Sequence, residues 1–519
     1  MILLELLVIL PFVGAFIAYL VQGLKAKSQI FIGVGLLHLL LSTVVITSGD
    51  RYGEVLGIDE LGRLLLGVMS LVNLPCAIAG VDYIRSGRRA KSETYIPCNL
   101  AFLGAMTLAL CTLHLGVFWV AVEATTLATA PLIYNHRSRD SLEATWKYLV
   151  LCSVGIALAL LGTFFLAIAL SGGTYNSPWD VLSLPDMIEA AKSGTVDHLW
   201  LRSAFVLILV GYGTKMGLAP MHSWMPDAYC EAPSPTAAAS SLLCNTAFLG
   251  ILRAFQICDA ANDIQFAQNA LIVLGMISVG TSAIFLHGQR DFKRMLAYSS
   301  VENMGLLALG VGFGGMAATG AMLQMVNHSV VKAMLFITAG SFVQRYGTHT
   351  VAQIFNARKL VPKSAWLWLI GFLAISGLPP FGIFPSKLMI LFGGLNNGFT
   401  WQVLLVLLTL AWIFVGMART VLAMVFETEA TRKAIGNLDM TLASEIDLDS
   451  TKPYDSPWFW IPSSFLVMVS IIFGLALPAP LAKGVQSAGS LIVRHEHAMV
   501  SPAEEVVKGP LRPIEQPGE

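Results

Sequence analysis

Long apolar runs, separated by short polar clusters, occupy the chain from residue 2 to residue 480. An apolar stretch of about 20 residues crosses a bilayer as a helix. Lipid offers no partners to backbone polar groups, so such runs predict helices that satisfy their own hydrogen bonds. About fourteen runs are read, over 2–23, 28–48, 58–82, 95–112, 113–134, 145–171, 199–228, 235–257, 266–288, 292–313, 317–344, 363–395, 401–427 and 457–480. The fourth and fifth nearly fuse at His114 and Gly116. The first run has neither a basic start nor a small-residue cleavage site, and is expected to be a retained span. The pattern predicts an all-α polytopic membrane protein.

Two runs are interrupted. The seventh holds GTKMGLAPMHSWMPDA (213–228) and the twelfth SGLPPFGIFPSKL (376–388). Each has Gly-Leu-x-Pro followed by a second proline, Pro220 and Pro226 in one, Pro380 and Pro385 in the other. Proline removes a helical donor and kinks the helix. Matched interruptions in two halves point to inverted repeats around a midplane ion site. The expected organisation is helices 1–3 over 1–94, a first five-helix repeat (helices 4–8) over 95–257, a second (helices 9–13) over 266–427, a loop and helix 14 over 428–483, and a loose polar tail over 484–519.

Composition agrees with a lipid solvent. Only 12% of the 519 residues are charged against 55% hydrophobic, whereas a soluble domain carries about 25% charged residues. Net formal charge is zero, which excludes a basic nucleic-acid binder. Basic residues follow the odd-numbered runs: Lys25 and Lys27, then Arg85, Arg88, Arg89 and Lys91, then Arg137, Arg139 and Lys147. Arg290, Lys293 and Arg294, and then Arg345, Arg358, Lys359 and Lys363, continue the series. The loops after even runs are short or acidic, as with Asp180, Asp186, Glu189 and Asp197. The positive-inside rule then places the basic loops in the cytoplasm, both termini outside, and the chain in the cytoplasmic (inner) membrane. None of the seven cysteines forms a CxxC pair. No metal or cofactor site is expected in this chain, and the cysteines read as small buried hydrophobes.

An ionisable side chain inside a span costs at least about 2.5–3.5 kcal/mol and marks function by default. Glu123 lies near the middle of run five with no basic neighbour within a turn. Lys215 precedes the first interruption. Burial favours its neutral form and a nearby carboxylate its charged form, so it can exchange a proton near neutral pH. His328 and Lys332 share a face of run eleven, and an imidazole passes protons near neutral pH. Lys387 follows the second interruption. Glu302 in run ten and Arg419 in run thirteen are further relay candidates, Arg419 as a fixed electrostatic partner because a guanidinium does not deprotonate. His38, His114, His222 and His287 are less specific. Together these groups predict a proton-translocating row along the membrane midplane, exchanging with water at the broken helices.

The segments GTKMGLAPMHSWMPDAYCEAPSP, QRDFKRMLAYSSVENMG, NHSVVKAMLF and GLPPFGIFPSK resemble the antiporter-like subunits shared by respiratory complex I, Mrp-type cation/proton antiporters and membrane-bound nickel–iron hydrogenases. The likeness is greatest to the F-type membrane component of hydrogenase-4, on SLEATWKYLVLCSVGIALALLGT, GYGTKMGLAPMHSW and YSSVENMGLLALGVGFG. The resemblance implies a Glu123–Lys215 couple, His328 and Lys332 as central relay, and Lys387 near the outer exit. It implies proton (or Na+) translocation as a subunit of a hydrogenase or formate hydrogenlyase type of complex. Other membrane subunits and a peripheral redox module would then be partners, with Ni-Fe and Fe-S centres in those partners. The alternatives are an Mrp-like Na+/H+ antiporter subunit, a complex I subunit, or the membrane half of an inorganic-carbon uptake system. One departure stands out: Asn245 occupies the place in run eight where many such subunits carry lysine or histidine.

Overall fold

The computed structural model describes residues 2–48, 51–53, 55–86, 92–173, 180–193, 195–427 and 455–492. Its helices run α1 (Ile2–Leu20), α2 (Leu24–Thr47), α3 (Glu60–Arg85), α4 (Ser92–Leu110), α5 (Leu115–Ile133), α6 (Arg139–Ala169), α7 (Leu184–Lys192), α8 (His198–Met216) and α9 (Trp224–Glu231). They continue as α10 (Ser234–Ala260), α11 (Ile264–Leu286), α12 (Phe292–Phe313), α13 (Gly315–Tyr346), α14 (Ala357–Leu360), α15 (Pro362–Ser376), α16 (Ile383–Asn396) and α17 (Thr400–Phe426), followed by helices Pro457–Leu475 and Ala479–Ile492. Eleven of the described helical segments are long and apolar enough to cross a membrane, with α8 and α9 counted together. The remaining elements, α4, α12 and the interrupted pair α15 and α16, make a series consistent with the fourteen expected spans.

The two interruptions follow the same course. α8 ends at Gly217 and α15 at Gly377, both left-handed (φ 88° and 83°). That conformation favours glycine, which has no Cβ to clash. A Leu-x-Pro step with a cis X–Pro bond then leads into the next half-helix. The second prolines, Pro226 and Pro385, do not break anything. They stand third in α9 and α16, in the first turn, where a missing N–H leaves no bond unmade. The freed groups are recovered: Ala219 N donates to Ser278 Oγ at 2.9 Å, and the Trp224 indole to Thr214 O at 2.7 Å. At the second break Gly382 N donates to Ser470 O at 2.9 Å, and Asn327 Nδ2 to Gly382 O at 2.7 Å.

α10 is buried along its whole length, and α13 from Gly320 to Phe342. Small residues allow this, and α10 is dense in Ala and Ser. The outer helices α1, α2 and α17 expose Leu, Ile, Phe and Trp side chains, such as Phe16, Leu40 and Trp401, as lipid contact requires. α6 and α8 approach through glycines. A Cβ on Gly211 would lie 2.6 Å from both Ala159 N and Gly155 O. These are backbone atoms, so the helices would have to part. Gly211→Ala is therefore expected to cost about 1–3 kcal/mol, read as a lowered unfolding temperature in detergent. Gly280→Ala on α11, with nothing within 4 Å of the added Cβ, should leave it unchanged.

Three features depart from expectation. The acidic stretch after run six contains α7, an amphipathic helix that turns Leu184, Met187, Ala190 and Ala191 inward and lies against α10. A two-stranded hairpin (Arg51–Tyr52 with Gly57–Ile58) interrupts the all-α pattern before α3. Residues 484–492, expected to begin a loose tail, are instead most of helix Ala479–Ile492. That helix buries Val485, Ala488, Gly489 and Ile492 and packs on α13 and α3. Arg88, Arg89, Lys91, most of the 428–456 loop and residues 493–519 lie outside the described residues.

Candidate functional site

The intramembrane charges assemble in two clusters, one beside each break. In the first, Lys215 is fully buried in the last turn of α8. Its Nζ donates to Thr126 Oγ1 at 2.6 Å and to Tyr148 OH at 2.8 Å. Thr126 in turn donates to Glu123 Oε2 at 3.3 Å, while Ser153 Oγ donates to Oε1 at 2.8 Å. The expected Glu123–Lys215 couple is thus a bridged one: Thr126 stands between the ammonium and the carboxylate. Tyr148 OH also meets Thr129 Oγ1 at 2.6 Å. Glu123 is half-buried, whereas Lys215 is fully buried.

The second cluster contains the direct ion pair. Lys387 Nζ, on α16, lies 2.9 Å from Glu302 Oε1 on α12, with both side chains buried. Lys387 also reaches back across the break to Ile375 O, 3.3 Å away, in the last turn of α15. Lys332 is fully buried on α13 and donates to Leu296 O and Ser299 Oγ. Amides continue the network: Asn303 Nδ2 to Ser299 O at 2.7 Å, Gln324 Nε2 to Asn303 Oδ1 at 2.6 Å, and Ser386 Oγ to Gln324 Oε1. His328 is fully buried one turn before Lys332, and neither ring nitrogen has a hydrogen-bond partner among the described residues.

α10 joins the clusters without a titratable carrier of the expected kind. Asn245 Nδ2 donates to Ser329 Oγ (2.6 Å) and Met325 O (3.2 Å) of α13. Beside it, Cys244 meets Tyr229 OH at 3.3 Å and lies within electrostatic reach of both Lys215 and Lys332. The resulting order is Glu123, Lys215, the Cys244–Asn245 region, Lys332 with His328, and the Glu302–Lys387 pair. Arg419 does not join it: its side chain is exposed on the outer face of α17.

The sequence reading passed over the polar groups that link these charges. Thr126, Tyr148, Ser153, Ser299 and Ser386 gave no signal, because hydroxyls in spans usually bond their own helix, as Thr125 and Thr145 do here. Asn303 and Gln324 could have been found, since a buried amide needs a partner. Arg253 was also missed. It is fully buried in α10 with its guanidinium 4.8 Å over the Phe118 ring, a cation–π contact.

The chain has relatives among known proteins in both sequence and fold. Residues 112–413 match the family model described as NADH:quinone oxidoreductase/Mrp antiporter, transmembrane. The chain is 33% identical over 397 residues to the hydrogenase-4 component F homolog of Methylacidiphilum infernorum, covering 74% of this chain and 82% of that one. Its fold superposes on a chain of the membrane-bound sulfane sulfur reductase, an archaeal respiratory membrane complex, with TM-score 0.81 at 22% identity, covering 94% of this chain and 97% of that one. A chain of the Mrp complex from Dietzia sp. DQ12-45-1b gives TM-score 0.78 at 18% identity, covering 95% and 98%.

Proposed function

We propose, given that this chain belongs to the NADH:quinone oxidoreductase/Mrp antiporter transmembrane family, that it translocates protons within a hydrogenase or formate hydrogenlyase type of complex. The observation that carries this reading is the row of ionisable groups running from half-buried Glu123 through buried Lys215 and Lys332 to Lys387, with a broken helix at each cluster. A broken helix brings backbone dipole ends to membrane depth. A shift of charge at one position biases its neighbour, which is the coupling a pump needs.

In this mechanism a charge change in a partner subunit perturbs Glu123. Thr126 transmits the perturbation to Lys215, whose proton affinity changes. The change passes through the Cys244–Asn245 region to Lys332 and His328, and then alters the Glu302–Lys387 pair, from which a proton leaves. Electron transfer belongs to partner subunits carrying the Ni-Fe and Fe-S centres. The likeness to a hydrogenase-4 component F homolog supports that assignment over an Mrp-like Na+/H+ antiporter, a complex I subunit or an inorganic-carbon uptake system. The end of α3, the turn after α5, the end of α13 and the start of α12, beside which the basic clusters fall in the sequence, meet on one face around a shared cavity lined by Tyr83, His136, Lys293 and Gln344. That supports a cytoplasmic placement of this face in the inner membrane, with both termini opposite.

Mild purification from the native membrane tests the assignment. Nickel–iron and iron–sulfur subunits are expected to co-purify. A flavin-containing NADH module, or a chain that comes alone with small membrane proteins, would overturn it in favour of complex I or an antiporter respectively.

A further inference from the structure

We propose that Cys230, Glu231 and His349 form a zinc site at the edge of this cavity, with Asp291 orienting the His349 ring. The ligand atoms of the three residues lie within 4.8 Å of one another. A tetrahedral zinc site sets its ligands about 3.4–3.8 Å apart, so closing on an ion needs only side-chain adjustment.

The ligands come from separate elements. Cys230 and Glu231 end α9, the half-helix after the first break. His349 lies beyond α13, where its carbonyl accepts from Phe292 N at 3.2 Å. Through Oδ2, Asp291 lies 3.2 Å from His349 Nε2, which leaves Nδ1 for the ion, and accepts from the Cys230 thiol at 3.1 Å, a bond given up when the thiol ionises on the metal. Its other oxygen caps α12 by accepting from Lys293 N and Arg294 N at 2.8 and 3.0 Å. It is therefore fixed, as a carboxylate that orients metal ligands must be.

Charge and donor type select the ion. Lys293 Nζ, bonded to Cys230 O and Ala232 O at 2.6 Å each, offsets the Asp291 charge. A thiolate and the Glu231 carboxylate then balance one divalent cation. A sulfur, imidazole and carboxylate set suits zinc, whereas calcium and magnesium take oxygen ligands. Binding releases the Cys230 thiol proton to solvent. All three ligands line the cavity, about 780 Å³ in volume and lined also by His136 and Asp140, which gives the ion its access. Occupancy would tie the end of α9 to the start of α12 and to the loop after α13.

The test is zinc binding by the full chain in mild detergent, by equilibrium dialysis after chelation, with cobalt(II) as a spectroscopic probe. One zinc per chain is expected. Cys230→Ser and His349→Ala should each weaken binding at least tenfold, and Asp291→Asn about tenfold. Cobalt should show a thiolate charge-transfer band that Cys230→Ser removes and Cys258→Ser retains. Circular dichroism checks that the variants are folded. Substoichiometric zinc in the wild type, a cobalt spectrum without the thiolate band, or unchanged affinity in folded Cys230→Ser and His349→Ala would each overturn the proposal.

Discussion

Replacing Glu302 by glutamine is expected to destabilise the protein by about 3–5 kcal/mol, the cost of leaving one member of a buried ion pair uncompensated. Lys387 Nζ would keep the Ile375 carbonyl, 3.3 Å away, and the glutamine amide oxygen as acceptors, but would lose its counter-charge. Lys387→Met should cost about as much, by stranding the carboxylate. The double variant Glu302→Gln/Lys387→Met should be more stable than either single variant, because it removes both charges together. Unfolding of the three variants in detergent measures this cycle. The contrast with an exposed pair decides the outcome. Lys147 and Glu143, 2.6 Å apart with side chains 45% and 65% exposed, should change stability by at most about 1 kcal/mol when broken. A Glu302→Gln cost that small would mean that water screens the buried pair as well, and would remove the physical reason for treating it as a unit.

The helices were legible because lipid forces the issue: no run of this length can span except as a helix. The ionisable positions were legible for the same reason, since each is costly enough in lipid to demand an explanation. Their partners were not. Glu302 and Lys387 are 85 positions apart, and no local spacing relates them. Only the packing of α12 against α16 shows that the relay candidate and the exit lysine are one pair. Thr126 lies three residues from Glu123 and could have been placed on its face of the helix. Nothing in the pattern said that Lys215 would come to the same hydroxyl. The two amphipathic helices were missed because a hydropathy window sees only their mean polarity. In Ala479–Ile492 the buried set Val485, Ala488 and Ile492 falls at helical spacing where a loose polar tail was expected to begin. Arg419 fails in the opposite direction: its cost in lipid was visible, but the direction in which its side chain points was not.

Lys215→Ala is expected to reduce proton translocation by the assembled complex about a hundredfold. Without the ammonium, a charge crossing the Thr126–Tyr148 position meets a barrier of about 2.5–3.5 kcal/mol for entering the membrane interior unassisted, and each 1.36 kcal/mol is tenfold in rate. Alanine alone does not separate two roles, since it removes both the charge and the exchangeable proton. Lys215→Arg separates them. Arginine keeps a positive charge near Thr126 and Tyr148, but it does not release its proton. If Lys215 is a carrier, the arginine variant should translocate as poorly as the alanine variant while the redox reaction of the partner subunits continues or slows. If arginine restores pumping, the charge at this position acts only by biasing Glu123 through Thr126, and the proton must pass another way. Proton movement per turnover in inverted vesicles reads both variants on one scale. Glu123→Gln then completes the argument. In the carrier mechanism it leaves Lys215 buried against two neutral hydroxyls with no carboxylate to favour its charged form, so translocation should fall although every hydrogen bond to Lys215 is retained.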